Sequence, residues 1–499
     1  MIPNAVAVSH TVRRNSWHPV FFTLALIELA VGLGAAVAAD FNAPFYAVGV
    51  IAGLLGAFSL GYCVLHSNAV KVYDLLGATG LFAYGTGTLV SMVSYAGAHQ
   101  DLLQNSLVSE YWLTRTLGLV IAGCGFLHAA GRMDPGGLLF SPRVSRLPSR
   151  YSLRILYFAG PLCILFAVLV ALGKIGFMGT VSTGDEAGKV SPLAALVVSL
   201  VTPVGALAFC EALKQKARAR LLLLGVSAAL LVLQFGLGRR VFVFSVITYA
   251  MGALLTWKPK KIMTLRNGVI FAAVMVLVYV ATTAFFALRV ATYTLGKQGT
   301  AQISILQLLP RAYRIYTQDR GGDLEAGIRK NVKSRTFVLE YLAQISQGEA
   351  EREPLIGEDL HRAYLVAVPS LLFPGKHRDA DINTEEGLIN PRFGLPVWDA
   401  SNSVYTAAVA DFGVAGMFLY PILFCISFSL VLRPVHRWAP PVVGLLLSLA
   451  VCQELLTAET DIAGYFVALR GLILMAGFAW VYFGFDWNAR PHEDAAVGS

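Results

Sequence analysis

The chain has 499 residues, of which 56% are hydrophobic and only 14% charged, and its mean hydropathy is +0.64. A soluble domain carries about 25% charged residues, so this composition excludes an ordinary soluble protein and indicates an integral membrane protein. The formal net charge of +9 arises mainly from loops on one side of the membrane, so it reflects topology and predicts no nucleic-acid partner.

The chain contains about twelve apolar runs, each near the roughly twenty residues that a helix needs to cross a hydrocarbon core. They predict an all-α fold, a polytopic membrane helix bundle of about twelve transmembrane helices with a large, mostly helical extracytoplasmic loop. We expect the first run to remain as a span, because it is long for the apolar core of a cleaved signal. The runs are 19–39, 45–65, 75–96, 112–130, 153–173, 191–212, 220–236, 241–256, 268–288, 412–432, 440–457 and 464–484.

The loops between these runs differ in charge. One set is rich in Lys and Arg and includes Lys71, Arg132, Lys214, Lys258 and Arg433, whereas the alternate short loops carry mainly acids. Loops rich in Lys and Arg stay in the cytoplasm, so both termini are predicted to be cytoplasmic. This topology divides the chain into helices 1–9 (1–288), an extracytoplasmic loop (289–411), and helices 10–12 with a cytoplasmic tail (412–499).

The outward loop, called the insert below, is too long for a simple connection. Residues 290–410 contain 13 Lys and Arg against 14 Asp and Glu, so the region is nearly neutral. We expect the runs 303–309 and 365–373 to form helices on the membrane face or over a cavity. An apolar stripe at helical spacing predicts another helix. That stripe consists of Val338, Tyr341, Leu342 and Ile345.

Cysteine and carboxylate patterns predict neither a metal site nor a cofactor. All six cysteines lie inside apolar runs, which argues against a disulfide framework or a thiolate metal site. The segment 379–383 has oxygen-ligand spacing, but Thr384 stands where a calcium loop needs Gly and Asn390 where it needs Glu.

Five arginines are predicted at the outer leaflet, where cations should be scarce. Arg239 and Arg240 occupy a very short outward turn, Arg289 ends the ninth span, Arg115 opens the fourth, and Arg470 lies inside the twelfth. Charges within spans usually face the bundle interior and mark a substrate path, and guanidinium binds phosphate oxygens in pairs. We therefore expect an anionic ligand there. Simpler roles remain open, since arginines also reach toward lipid headgroups.

Two ionisable residues of the spans have structural alternatives. Arg470 is also placed to pair with Glu454, Glu459 or Asp461 as a structural ion pair. Glu28, deep in the first span, is either a satisfied internal carboxylate or a proton relay, and the first is the simpler interpretation.

Several motifs together resemble the bacterial oligosaccharide repeat-unit polymerases of O-antigens and exopolysaccharides. They are the outer Gly238-Arg239-Arg240 turn, the proline-punctuated stretch Val368–Lys376, the loop end Trp398–Ser403, and the re-entry Asp411–Gly416. The count of spans and the late, large insert are similar as well. The motifs are short and degenerate, although the architecture covers most of the chain.

This resemblance implies an enzyme that joins glycan repeat units carried on polyprenyl pyrophosphate, outside the bacterial cytoplasmic (inner) membrane. The implied partners are the lipid-linked glycan, membrane lipids, and flippase and chain-length regulator proteins. In such a reaction negative charge builds on the leaving diphosphate, which preorganised cations stabilise. We assign Arg239, Arg240 and Arg289 to the diphosphate, with Arg470 secondary.

The acceptor hydroxyl must lose a proton, so a histidine or carboxylate of the insert is expected. His361 is one candidate, because imidazole is a common general base, although an ordinary surface residue is an alternative interpretation. Asp399 is the other candidate, next to Trp398, which can stack on a sugar, and near Asn402, which can bond hydroxyls; as a turn residue it also reads as structural. Further candidate contacts to donor or glycan are Arg392 and Lys376.

Other functions fit the composition. A secondary transporter of this size commonly shows two similar halves, and no such repeat is found in the apolar runs. A ligase that moves finished lipid-linked glycans to another lipid needs the same arginines and the same loop. A non-catalytic scaffold of a polysaccharide machine is the third alternative, and it would tolerate alanine at Arg239 and Arg240.

Overall fold

The computed structural model describes most of the chain. Within that part the protein is all-helical and has no strand. The described residues are 19–42, 44–97, 99–134, 136–141, 151–171, 175, 192–257, 276, 280, 287, 288, 291, 305–318, 337–368, 385–395, 402–457 and 461–484.

Helices are labelled in chain order over these residues. Membrane-type helices come first, those of the insert follow, and the last three are again apolar. They are α1 (Pro19–Ala38), α2 (Phe45–Leu65), α3 (Val72–Gly97, with a π-helical turn at Phe82–Thr86), α4 (Glu110–Met133), α5 (Ser152–Ala171), α6 (Pro192–Ala212), α7 (Ala217–Leu237), α8 (Arg239–Trp257), α9 (Ile305–Gln318), α10 (Val338–Glu351), α11 (Glu358–Ala367), α12 (Glu385–Phe393), α13 (Val404–Trp438), α14 (Pro441–Leu456) and α15 (Ile462–Gly484).

Eight of these helices are long and apolar enough to cross a membrane, namely α1 to α5, α7, α13 and α15. The protein is therefore a multi-pass membrane protein. Three predicted spans correspond to shorter apolar helices at Leu196–Ala212, Val241–Thr256 and Pro441–Leu456. The predicted ninth span, 268–288, falls almost wholly outside the described residues.

The bundle has two distinguishable ends. At one end Glu340 of α10 accepts hydrogen bonds from Leu107 N at 2.7 Å and Ser106 Oγ at 3.1 Å, so the insert packs on the loop after α3. We call this the insert end. At the opposite end, Lys71, which directly precedes α3, forms an isolated antiparallel β-bridge with Leu138, which follows α4.

Helix α13 is two helices separated by a sharp break. Phe412 and Gly413 leave helical geometry, and Gly413 has φ of 58°, a conformation that favours glycine. A Cβ on Gly416 would lie 1.9 Å from the carbonyl oxygen of Ala408, so 404–411 folds back along the start of 414–438. The predicted start of the tenth span at residue 412 coincides with this break.

Helices α1 and α4 approach each other through small residues. A Cβ on Gly32 of α1 would lie 2.3 Å from the backbone nitrogen of Ala122 in α4, whereas one on Gly34 would meet nothing within 4 Å. Backbones this close need the absence of a side chain at residue 32.

We expect Gly32→Ala to destabilise the protein by about 1–3 kcal/mol through overpacking, and Gly34→Ala to have little effect. Thermal unfolding of both purified variants in one detergent checks this. Equal melting temperatures for the two variants would contradict the packing of α1 on α4.

A buried ionic network joins the same two helices near the opposite end. Glu28 Oε2 lies 2.8 Å from His128 Nδ1, both side chains are fully buried, and the other ring nitrogen lies 3.2 Å from the carbonyl oxygen of Asp74. The Asp74 carboxylate pairs with Arg132 and accepts a hydrogen bond from Lys71 N at 2.9 Å. Glu28 is therefore a partnered internal carboxylate, in line with the simpler interpretation of it.

Candidate functional site

Helix α11 of the insert is held against the fold-back of α13 by backbone and capping bonds. Leu355 N donates to Ala410 O at 2.8 Å just before the helix. The Asp411 carboxylate accepts from the backbone nitrogens of Asp359 at 3.1 Å and Leu360 at 3.0 Å. Free N–H groups at a helix start are stabilised by such an acceptor. Tyr420 Oη donates to the same carboxylate, which fixes its orientation.

One face of α11 carries a buried charge cluster. Arg362 Nε lies 2.6 Å from Asp359 Oδ1, and Arg362 Nη2 lies 3.8 Å from Glu385 Oε2 of α12. Thr406 Oγ1 donates to Glu385 Oε1 at 3.0 Å. This Asp359–Arg362–Glu385 cluster ties two insert helices to the fold-back of α13.

The two carboxyl groups of this cluster hold protons more tightly than usual. Burial raises the pKa of Asp359 to about 6, although the charge of Arg362 opposes that rise. Burial, followed by the negative charge of Asp359, raises the pKa of Glu385 well above its usual range. One guanidinium therefore serves two carboxyl groups whose ionised forms burial disfavours.

The opposite face of α11 is exposed and carries chemically useful side chains. His361 is exposed, and so is Tyr364 one turn later, with 56% of its surface accessible and its ring 6.5 Å from that of Phe466 in α15. Arg470 Nη1 donates to Ala367 O at 2.6 Å at the end of the helix. Ala367 lies six positions after His361 in the sequence, which corresponds to about 9 Å along the helix axis.

The structure thus connects two residues that the sequence singled out, His361 and Arg470, through one short helix. The alternative interpretation of Arg470 from the sequence was an ion pair with an acid at the outer end of its span. Among the described residues Arg470 forms no ion pair with Glu454 or Asp461, and Glu459 lies outside those residues. Arg470 instead holds a helix end through one nitrogen. Because guanidinium has five N–H groups, it retains donors for an anion.

The Gly238-Arg239-Arg240 turn lies at the insert end. Gly238, with φ of 156°, ends α7, and α8 begins directly at Arg239-Arg240. Farther along α8, Met251 O accepts from Ser67 Oγ at 3.3 Å at the opposite end. Twelve residues of helix rise about 18 Å, which carries residue 239 away from Ser67 toward the insert. The backbone is described there, and the two side chains are not.

The other predicted site residues are less informative. The Arg392 side chain is 42% exposed and contacts the loop before α11. Its Nε donates a hydrogen bond to Glu353 O at 3.0 Å, and its Nη2 lies 3.7 Å from the Glu353 carboxylate. Asn402 precedes Ser403, whose hydroxyl caps the fold-back helix. Several predictions lie outside the described residues: Arg289, Lys376, Trp398 and Asp399.

The buried cluster was missed from sequence, although a signal was present. Asp359, Ala363 and Ala367 are the buried positions of α11, at i, i+4 and i+8. A charged residue on an otherwise apolar stripe predicts a buried ion pair, and Arg362 stands three residues on. The partner Glu385 had no such local signal.

The chain matches no protein-family model, no curated protein and no solved structure.

Proposed function

We propose that this protein is a bacterial membrane glycosyltransferase that polymerises polyprenyl-pyrophosphate-linked oligosaccharide repeat units at the outer face of the cytoplasmic membrane. One observation carries the proposal. The Arg239-Arg240 start of α8 lies at the same end of the bundle as α11, which exposes His361 and meets Arg470. This arrangement supports a site that combines cations for a diphosphate with a base for a hydroxyl.

The chemistry proposed is transfer of a glycan from its lipid diphosphate. An acceptor sugar hydroxyl forms a bond to the anomeric carbon of the donor, and the bond from that carbon to the diphosphate oxygen breaks. The diphosphate departs with the electron pair, and cations already in position stabilise its charge. Arg239 and Arg240 are the principal cations proposed, with Arg289 and Arg470 as further contacts.

The hydroxyl proton passes to His361 in this proposal. His361 stands on the exposed face of α11, whereas Asp359 of the same helix is fully buried. A general base must come within hydrogen-bond reach of the hydroxyl, which favours the exposed side chain. The buried Asp359–Arg362–Glu385 cluster serves as the anchor that keeps α11 in place.

The experiment compares lipid-linked glycans in cells that lack the protein, or that carry Arg239→Ala or Arg240→Ala at normal abundance. We expect single lipid-linked repeat units to accumulate and long polymer to disappear. Arg437→Ala is the matched control, since Arg437 lies in the last turn of α13, far along that helix from the insert end.

Two outcomes would overturn the proposal. Normal chain length in the Arg239 and Arg240 variants would remove the diphosphate role of the turn. Long polymer that still forms but stays on its lipid carrier would instead identify a ligase.

A further inference from the structure

A small cavity opens at the insert end between α4, α10 and the break in α13. Its volume is about 50 Å³, and its wall includes one cation and one anion, Arg115 of α4 and Glu349 of α10. This space is comparable to that of one or two water molecules, so it accepts a compact charged group and excludes a sugar ring. The cavity suits one end of a larger molecule that lies mostly outside it.

The two charges have no ion-pair partner among the described residues. Arg115 Nη1 donates to Tyr111 Oη at 2.8 Å, and its guanidinium carbon lies 5.3 Å from the centre of the Trp112 ring. Glu349 lies beside the break, where its Oε1 is 2.5 Å from the place that a Cβ on Gly413 would take. Both side chains are half-buried. Opposite charges that line one cavity without pairing fit a ligand that carries both signs.

The surroundings have the character of a membrane interface. Trp112 stands in the first turn of a membrane-crossing helix, where tryptophan is enriched at the level of lipid headgroups. The rest of the wall consists of the apolar side chains of Leu119, Ala350, Val409 and Val414, with hydroxyls from Thr116 and Ser346. Such a site offers polar contacts to a headgroup and apolar contacts to the glycerol and acyl chains next to it.

We propose that this cavity binds the headgroup of phosphatidylethanolamine. The phosphate contacts the Arg115 guanidinium, which is suited to two phosphate oxygens at once. The primary ammonium enters the cavity and donates to the Glu349 carboxylate and the Ser346 hydroxyl. The headgroup of phosphatidylglycerol has no cationic group that could pair with Glu349. The quaternary ammonium of phosphatidylcholine has no N–H group, so it cannot donate a hydrogen bond to that carboxylate. This lipid site is independent of the proposed polymerase activity.

The experiment is native mass spectrometry of the full-length protein, purified in detergent and titrated with phosphatidylethanolamine or phosphatidylglycerol of matched acyl chains. We expect the wild-type protein to bind phosphatidylethanolamine about tenfold more tightly, which is the preference that one additional charged hydrogen bond gives. Glu349→Gln is expected to abolish this preference while leaving phosphatidylglycerol binding unchanged. Arg115→Gln is expected to weaken both lipids.

Arg437→Gln is the matched control, since the Arg437 guanidinium also stacks on a tryptophan, 5.6 Å from the Trp438 ring, but lies outside the cavity. Elution volume of each variant on size exclusion verifies that it is folded. Equal affinity of the wild-type protein for the two lipids would overturn the proposal, as would a Glu349→Gln variant that keeps the wild-type preference.

Discussion

Replacing His361 by alanine is expected to lower the rate of repeat-unit polymerisation by about 10²–10⁴-fold, the usual contribution of general acid–base catalysis. The side chain is exposed on α11, so its removal leaves the packed face of that helix intact. Binding of the lipid-linked donor should persist, because the cations proposed for the diphosphate are unchanged. The measurement is the initial rate and KM of purified protein with purified lipid-linked repeat units.

Glu358→Gln provides the control for this prediction. Glu358 is an exposed residue in the first turn of the same helix, and we expect nearly normal rates for this variant. The proton-acceptor role of His361 fails if the alanine variant retains the wild-type rate. A loss of rate accompanied by a lower melting temperature would instead assign His361 a structural role.

The second large effect is expected at Arg362. In Arg362→Met the buried carboxyl groups of Asp359 and Glu385 lose their cation, and uncompensated buried charge costs about 3–5 kcal/mol. The comparison variant is Arg392→Met, because the Arg392–Glu353 pair is exposed, with 42% and 89% of its side-chain surfaces accessible. A pair of that kind contributes about 0–1 kcal/mol. Thermal unfolding and limited proteolysis of the insert distinguish the two.

The pH dependence of this effect has a definite sign. Burial raises the pKa of Asp359 to about 6 in the folded protein, against about 3.9 in an unfolded chain. The folded state therefore binds the proton more tightly, and its stability falls as pH rises through that range. Without the charge of Arg362 the pKa of Asp359 rises further. The deficit of Arg362→Met should shrink as pH is lowered from about 7.5 to about 5.

Equal destabilisation of the Arg362 and Arg392 variants would contradict the buried cluster. So would a deficit in Arg362→Met that grows as the solution is acidified.

Local patterns in the sequence were sufficient for several elements. The stripe at 338, 341, 342 and 345 predicted α10, and all four side chains are buried in it. The run from residue 303 predicted the helix that the structure has at Ile305–Gln318. Helical periodicity and hydropathy are properties of neighbouring residues, so they are readable without the fold.

Local sequence patterns did not predict the contacts within the candidate site, because these contacts join residues that are far apart in the sequence. His361 was chosen for its chemistry, but the face of α11 that it occupies depends on Asp411, 52 residues from the Asp359 nitrogen that it caps. The structural alternative for Arg470 was an ion pair with the acids at the end of its own span, whereas its hydrogen bond to Ala367 joins residues 103 positions apart. Neither pairing has a signature in the flanking sequence.

The sequence by itself determined that this is a helical, multi-pass membrane protein, because the hydrophobic length and charge of each segment act locally. Only the tertiary structure decided which ionisable groups are buried and paired. Glu28 meets His128 across 100 residues, and Gly413 folds one helix back on the next. Burial and pairing depend on which segments come together, and that is a property of the packed bundle rather than of any one segment.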